Sequence, residues 1–169
     1  MATRGKLTKL EKAYIAGLFD GEGSISICKF RTNNKNYVCP HYILLITCTN
    51  TFKPIIEWLD EKLDGSKQIR KREWGKSNWK TSYAWMASAK KALETLKIIL
   101  PYLKIKQEQA KLAIEFQENK MKNRKFILSS RDEKKKGKTL SPETLQYREE
   151  VRNKMIALNG TKHNRKFVS

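Results

Sequence analysis

The sequence predicts an α+β fold in which a four-stranded antiparallel sheet carries helices on one face. Two observations predict it. Helical segments alternate with pairs of strand-like segments, in the order helix, hairpin, helix, hairpin, followed by three more helices. Each strand pair is joined by a short polar turn, which is typical of antiparallel hairpins. The length of 169 residues suits one domain, so we expect residues 1–169 to form a single domain.

A capping box predicts where the first helix starts. Thr8 is followed three residues later by Glu11, and the helical pattern continues to about Asp20. Residues 24–30 then alternate between apolar and polar side chains, as in a half-buried strand. A polar turn and a long run of β-branched and aromatic residues, 37–50, complete the first hairpin.

Proline and glycine mark the middle of the chain. Pro54 suits the first turn of a second helix, and we expect Gly65 to end that helix. Residues 66–74 and 79–87 form the second predicted hairpin, around the polar turn 75–78.

Three more helices follow the second hairpin. We expect Ser88 to cap the third helix, which stops before Pro101, and the fourth helix to begin near Lys106. Pro142 opens a last helix that runs to about Leu158. Two segments lack periodicity and are expected to be a mostly charged loop and a basic tail, residues 119–138 and 160–169.

The charge balance predicts a polyanionic partner. The chain has 36 Lys and Arg against 17 Asp and Glu, a net charge of +19, which attracts nucleic acid first and anionic membrane second. No run of residues is apolar enough to span a bilayer or to form a signal-peptide core. We therefore expect a soluble, intracellular protein of the cytoplasm or an organelle, with no membrane partner. Cys28, Cys39 and Cys48 lack metal-binding spacing, which indicates free thiols in a reducing compartment.

Polar side chains recur on one face of the predicted sheet. Arg and Gln hydrogen-bond guanine and adenine edges in the major groove, and a twisted antiparallel ribbon fits that groove. We therefore expect this face to contact DNA. The alternative is an ordinary solvated face, and Ile43 and Leu45 interrupt the polar pattern. The candidate contact residues are Ser26, His41, Thr47, Gln68, Arg70, Arg72, Lys80 and Ser82.

Small residues form a stripe along the first helix. Ala13, Gly17 and Gly21 are spaced four apart, and Leu18 lies beside them. Such a stripe lets another helix approach almost backbone to backbone. Two interpretations stay open: the first helix packs closely on the chain's own sheet, or the stripe packs against the same helix of a second copy.

Two acids stand at the end of the first helix. Asp20 lies in the last turn and Glu22 is expected just past it, where the helix dipole disfavours negative charge. A carboxylate at that place makes sense if a cation binds there. Paired helices would bring two copies of Glu22 together with backbone carbonyls, which makes an oxygen-rich site suited to Mg²⁺.

Residues 15–23, IAGLFDGEG, resemble the LAGLIDADG motif of homing endonucleases. They match its A-G-L core, its first acid and its final glycine, with Glu22 in place of the second Asp. The single copy resembles the homodimeric, intron-encoded branch, and the order of elements is similar to the family's αββαββα core with its saddle-like sheet. The resemblance covers about residues 8–118 and leaves about 119–169 as a C-terminal helical extension.

The resemblance implies cleavage of both strands of a long, partly symmetric double-stranded DNA site by a homodimer. Glu22 and the Gly21 carbonyl would bind Mg²⁺, or another divalent cation such as Mn²⁺ or Ca²⁺. Lys106 matches the family's active-site lysine and would lie near the attacking water or the developing charge. Asn50 matches a polar active-site position and would orient the water. Asp20 is expected to tie the end of the helix to neighbouring backbone.

Other functions remain open from the sequence. The same fold can serve an intron maturase that binds RNA, or a nucleic-acid-binding protein that does not cut. A ribosome-associated basic protein would account for the charge but not for the motif. For a DNA-reading sheet, strands of about eight residues at ~3.3 Å each would cover roughly eight base pairs per protomer. The full site would then be on the order of 20 base pairs.

Overall fold

The computed structural model describes residues 7–31, 39–70, 81–123, 127–128 and 138–160. It confirms the predicted order of helices and strands. The elements are α1 Lys9–Glu22, β1 Gly23–Phe30, β2 His41–Asn50, α2 Lys53–Lys62, β3 Ser66–Arg70, β4 Ser82–Ser88, α3 Ala89–Ile99, a 3₁₀ turn Leu100–Tyr102, α4 Gln107–Lys122, β5 Ile127–Leu128, β6 Lys138–Thr139 and α5 Pro142–Leu158.

The predicted four-stranded antiparallel sheet is confirmed, with strand order β1-β2-β4-β3. Its register places Cys48 opposite Trp85 on the face that carries the core. The Trp85 ring meets the Phe19 ring of α1 edge-on, with centroids 5.9 Å apart. Phe116 of α4 and Met155 of α5 belong to the same buried cluster. The helices therefore lie on one face of the sheet, and the other face stays open in the described part of the chain.

The start of α1 is as predicted. The N–H of Glu11 donates to the Thr8 hydroxyl oxygen (3.2 Å), and the N–H of Thr8 donates to the Glu11 carboxylate (2.8 Å). Glu11 also pairs with Lys62 of α2. The hydrogen bonds from Lys62 and Thr8 lower the pKa of Glu11 to about 2. One carboxylate thus closes the capping box and ties α1 to α2.

The end of α1 differs from the prediction. Glu22 is the last residue of the helix, not a residue beyond it. The helix continues because the N–H of Gly23, its C-cap, still donates to the Phe19 carbonyl. A Cβ on Gly23 would lie 2.6 Å from that same oxygen, so only glycine fits where the helix turns directly into β1.

The end of α2 also differs from the prediction. The helix stops at Lys62, and the N–H of Leu63 donates to the Leu59 carbonyl at 2.8 Å. Gly65 lies beyond the helix and has a packing role, because a Cβ there would meet the Trp85 ring at 2.4 Å. The sequence pattern could not separate these two uses of glycine.

Two further predictions, for the segment 119–138 and for Ser88, are wrong in part. The segment 119–138 was expected to be loop, but α4 continues to Lys122, and Ile127–Leu128 pairs with Lys138–Thr139. Ser88 precedes α3 as expected, but its side chain makes no capping hydrogen bond. Several predictions lie outside the described residues: the turn at 32–36, the start of β2 at 37–38, the hairpin tip 71–80 and the tail 161–169.

Helix α5 is tied to the first hairpin by polar side chains. Tyr42 of β2 donates to the Glu149 carboxylate, and Lys29 of β1 pairs with the same carboxylate at 2.8 Å. Just past the C-terminal end of the helix, Asn159 donates its side-chain N–H to the Ile25 carbonyl at 3.0 Å. The C-terminal helix therefore packs along β1, the edge strand of the sheet. Among the described helices, none is long and apolar enough to cross a membrane.

Candidate active site and nucleic-acid interface

Asp20 organises the loop that leads into α4. Its carboxylate accepts three backbone N–H groups, from Lys104 (2.7 Å), Ile105 (3.2 Å) and Lys106 (2.9 Å). Burial raises the pKa of Asp20, but these hydrogen bonds and the Lys106 charge together hold it below its usual value. The carboxylate therefore stays ionised and ties the end of α1 to the neighbouring backbone, as expected.

The Lys106 ammonium lies at the C-terminal end of α1. Its Nζ donates to the Phe19 carbonyl at 2.9 Å and to the Asp20 carbonyl. These carbonyls belong to the last turn, where the helix dipole is negative and favours a cation. Lys106 is thus held at two points. The Asp20 side chain binds its backbone N–H, and the α1 backbone carbonyls bind its ammonium group.

Glu22 lies at the same end of α1 as Lys106. Both charges act on the buried Cys48 thiol, whose pKa rises to about 12 through burial and the Glu22 charge, against the Lys106 charge. Glu22 is exposed. By helix geometry the partner of the Gly21 carbonyl would be the N–H of Ile25, which lies in β1, outside the helix. Glu22 and the Gly21 carbonyl, which are adjacent in the sequence, are both hard oxygen donors of the kind that Mg²⁺ prefers.

These donors do not make a complete metal site in one protomer. Within the described ranges, no group of three His, Cys, Asp or Glu side chains lies close enough to hold a metal ion. Glu22 offers one carboxylate, so the remaining ligands of any bound ion would come from a second protomer, from a nucleic-acid phosphate or from water.

Asn50 is the last residue of β2, and its side chain has a local structural use. Its Oδ1 accepts the Phe52 N–H at 2.8 Å, which shapes the turn into α2. The register places Asn50 opposite Tyr83, on the core side of the sheet. The amide oxygen of Asn50 thus already accepts a backbone hydrogen bond, and a role for this residue in orienting water stays a prediction.

The small-residue stripe faces outward. Ala13, Gly17 and Gly21 are exposed, and a Cβ on either glycine would meet nothing within 4 Å. Packing of the stripe on the chain's own sheet is therefore wrong for the described structure, because α1 buries Ile15 and Phe19 instead.

Two large apolar side chains that the sequence did not single out extend this surface. Leu10 is 83% exposed and Tyr14 is 56% exposed, and both follow the helical spacing of the stripe. Leu18 is partly buried against the core. We call the resulting surface the α1 open face. It consists of Leu10, Ala13, Tyr14, Gly17 and Gly21.

The open face of the sheet carries the predicted DNA-contact residues of β1, β2 and β4. The register aligns Thr47 with Ser24 of β1 and Met86 of β4. On β3 the backbone register pairs Gln68 with Ala84 and Arg70 with Ser82. DNA contact by this face stays a prediction, and Arg72 and Lys80 lie outside the described residues.

Two candidate contacts have environments that limit what they can do. Burial and the charges of Lys120 and Arg148 lower the pKa of His41, so its imidazole is neutral at pH 7. It can offer hydrogen bonds to a base or phosphate, but not a positive charge. The Ser26 hydroxyl donates to the Leu45 carbonyl at 3.3 Å, so its donor is already used within the sheet.

Comparisons with known proteins agree with this geometry. The family model described as LAGLIDADG endonuclease matches residues 15–120. No curated protein sequence matches the chain. The fold is similar to that of the homing endonuclease I-CvuI in complex with the I-CreI target, with 22% identity and a TM-score of 0.65 over 89% of this chain and 82% of that chain.

Two further solved structures share the fold. The archaeal intron-encoded homing endonuclease I-Vdi141I, complexed with DNA, has 14% identity and a TM-score of 0.64 over 88% of this chain and 84% of that chain. The LAGLIDADG homing endonuclease I-LtrWI, bound to target DNA, has 17% identity and a TM-score of 0.61. That match covers 91% of this chain but 47% of I-LtrWI. At identities this low, the structural similarity establishes the shared fold alone.

Proposed function

Since the chain belongs to the LAGLIDADG endonuclease family, we propose that it is a site-specific homing endonuclease. It would cut both strands of double-stranded DNA as a homodimer, by metal-dependent hydrolysis. One observation carries the proposal. Glu22 and Lys106 are held at the same end of α1, and that helix also presents the α1 open face.

The α1 open face supports pairing of two copies through α1. Ala13, Gly17 and Gly21 leave room for a second helix, and the exposed Leu10 and Tyr14 would be buried by it. If a two-fold axis relates the two helices, each copy presents the same surface to the other, so the interface is self-complementary. It would also bring the two Glu22 residues, at the end of each helix, to the centre of the dimer. The match of this chain to about half of I-LtrWI, 47% of its length, fits an assembly of two such units.

The proposed metal site uses Glu22, the Gly21 carbonyl and DNA phosphate oxygens. A divalent ion there would activate a water molecule and stabilise charge on the phosphoryl and leaving oxygens. Mg²⁺ is the expected ion, and Mn²⁺ or Ca²⁺ have the same preference for oxygen ligands. DNA complexes of I-CvuI were solved in the presence of Ca and of Mg, the latter with the DNA not cleaved, which supports divalent-ion use with this fold.

Lys106 would act as a fixed positive charge. An ammonium group has three N–H donors, and two of them bind the Phe19 and Asp20 carbonyls. The third would bind a phosphate oxygen or the attacking water. Because the Asp20 carboxylate holds the Lys106 backbone, the ammonium is positioned before DNA binds, which is the condition for electrostatic stabilisation of a transition state.

The open face of the sheet would lie in the major groove. The net charge of +19 supports strong, salt-sensitive contact with phosphates. Base recognition would come from Thr47 at the centre of the sheet, from Gln68 and Arg70 on β3, and from Ser82 and His41 toward the strand ends. Ser26 would contribute only as an acceptor, because its hydroxyl donates to the Leu45 carbonyl.

The experiment is a cleavage selection. The purified protein is incubated with Mg²⁺ and a randomised duplex library, and the cut ends are sequenced. We expect recurrent cuts within one long, roughly palindromic site, abolished in Glu22→Gln but retained in the control Glu61→Gln, which changes an exposed acid on α2. Loss of the Glu22 ligand is expected to cost at least 10²-fold in rate.

Two results would contradict the proposal. The first is an absence of recurrent cuts with both Mg²⁺ and Mn²⁺. The second is equal cutting by Glu22→Gln and wild type. Tight, salt-sensitive binding to structured intron RNA without any DNA cleavage would favour the maturase alternative.

A further inference from the structure

The open face of the sheet is not polar throughout. Ile43, Leu45 and Met86 all point to this face by register, opposite to the side that carries the core. Each is half-buried, and none of them belongs to the partly buried apolar residues that pack on the core, as far as the chain is described. We call these three side chains the apolar strip.

The members of the apolar strip are neighbours. Ile43 and Leu45 are two residues apart on β2, about 6.6 Å along the strand. Leu45 and Met86 are diagonal neighbours, because Met86 lies opposite Thr47 and Leu45 lies opposite Ser88. Isolated apolar side chains on a protein surface need no explanation, whereas a contiguous group on a face meant for a polyanion does.

On the β1 side of the strip, the polar side chains offer little for hydrogen bonding to bases. The Ser26 hydroxyl, across from Leu45, donates to the Leu45 carbonyl. Cys28, across from Ile43, carries a thiol, which is a weak donor, and its sulfur lies 3.7 Å from the Ser26 oxygen. Where β2 adjoins β1, Ile43 and Leu45 are therefore the side chains best placed to contact a base, and that contact is apolar.

The major groove contains one apolar group that such a strip can recognise, the C5 methyl of thymine. We propose that the apolar strip reads thymine methyl groups in each half-site, so that this part of the target is specified as A·T pairs through methyl contact. At about 3.4 Å per base pair, the distance between Ile43 and Leu45 covers about two base-pair steps. The strip therefore contacts thymines in a run of two or three neighbouring positions. This inference rests on the proposed function, because it needs DNA on this face.

The test removes one methyl group at a time. Thymines in the selected site are replaced singly by deoxyuridine, which pairs with adenine in the same way but lacks the C5 methyl. Dissociation constants are measured by fluorescence anisotropy in metal-free buffer, where the DNA is not cut. We expect binding about fourfold weaker at two or three neighbouring positions of each half-site, and unchanged binding at the other positions.

Matched variants assign the effect to the strip. Leu45→Ala is expected to lose the preference for thymine over deoxyuridine at the one position that Leu45 contacts and to keep it at the positions contacted by Ile43 and Met86, whereas Leu45→Met, which remains apolar, keeps the preference throughout. Leu158→Ala makes the same change at a side chain on α5 that is 44% exposed, and should also keep it. If Leu45→Ala does not fold, Leu45→Gln replaces it and is expected to lose the preference at the same position.

The outcomes separate this inference from the proposed function. Equal binding of thymine and deoxyuridine duplexes at every position overturns the inference and leaves endonuclease activity intact. A methyl preference in Leu45→Ala that is unchanged at every position also overturns it, because the methyl groups are then read elsewhere. Failure to find any DNA site refutes the proposed function, and the inference with it.

Discussion

The link between Asp20 and the loop before α4 gives the sharpest prediction. In Asp20→Asn, one carboxylate oxygen becomes an NH₂ group that faces N–H donors from Lys104 or from Ile105 and Lys106. At least one hydrogen bond to a charged acceptor is lost, worth about 1.5–3 kcal/mol, and partial exposure of the site favours the lower value. We therefore expect a loss of about 1.5 kcal/mol of unfolding free energy at pH 7, or about 3–6 °C in Tm.

The pH dependence of this loss follows from the lowered pKa of Asp20. A carboxylate with a depressed pKa stabilises the fold above its ordinary value of 3.8, and this stabilisation fades as the pH falls through the lower, folded-state pKa. The difference in unfolding free energy between wild type and Asp20→Asn should therefore be constant near neutral pH and shrink below about pH 4.

Urea unfolding at pH 7, 5 and 3 measures the difference. The control is Asp64→Asn, which removes an exposed ion pair with Lys91 and should cost less than about 1 kcal/mol at every pH. Because Asp20 also positions Lys106, the variant should lose about 10²-fold in cleavage rate. Equal stability of Asp20→Asn and wild type at pH 7 would refute the argument that this carboxylate holds the loop.

Three further predictions concern packing and assembly. Gly17→Leu should leave the protomer at least as stable, since no atom lies within 4 Å of the added Cβ and the helix gains about 1 kcal/mol of propensity, but it should abolish dimers in sedimentation equilibrium. A dimeric Gly17→Leu would contradict pairing through α1. Glu149→Gln should lower the free energy of local unfolding of α5 by about 1–2 kcal/mol, because it removes the charged partner that Lys29 and Tyr42 share. Amide exchange should become faster in α5 and β1 alone. Unchanged exchange there would show that apolar packing alone holds α5. Gly65→Ala should cost at least about 2 kcal/mol because its methyl would meet the Trp85 ring at 2.4 Å, and a Tm equal to that of wild type would refute the close contact.

Local patterns predicted the parts of the fold that depend on neighbouring residues. The Thr8 capping box and the alternation in β1 are confirmed because hydrogen bonding and side-chain direction over a few residues determine them. Helix ends were less predictable. Whether Gly23 or Gly65 ends a helix depends on what surrounds the glycine, Phe19 in one case and Trp85 in the other.

In the candidate site, too, local features were predictable and tertiary contacts were not. The motif identified Glu22 and the stripe on α1, but spacing alone could not decide whether the stripe faces the sheet or solvent. Contacts across long stretches of sequence were out of reach. Asp20 and Lys106 are 86 residues apart, and Tyr42 and Glu149 are 107 apart, so no periodicity relates them. Such contacts arise only when the sheet and helices pack.

A mixing experiment tests the central claim most directly. Wild type and Glu22→Gln are combined in equal amounts, allowed to exchange subunits, and added in excess to a supercoiled plasmid that carries the selected site. If both protomers of a dimer must supply Glu22, the rate of plasmid linearisation should fall to about a quarter of the wild-type rate, since about a quarter of randomly paired dimers are fully wild type. A fall to about one half would mean that each chain cuts both strands independently, and would contradict the homodimeric mechanism.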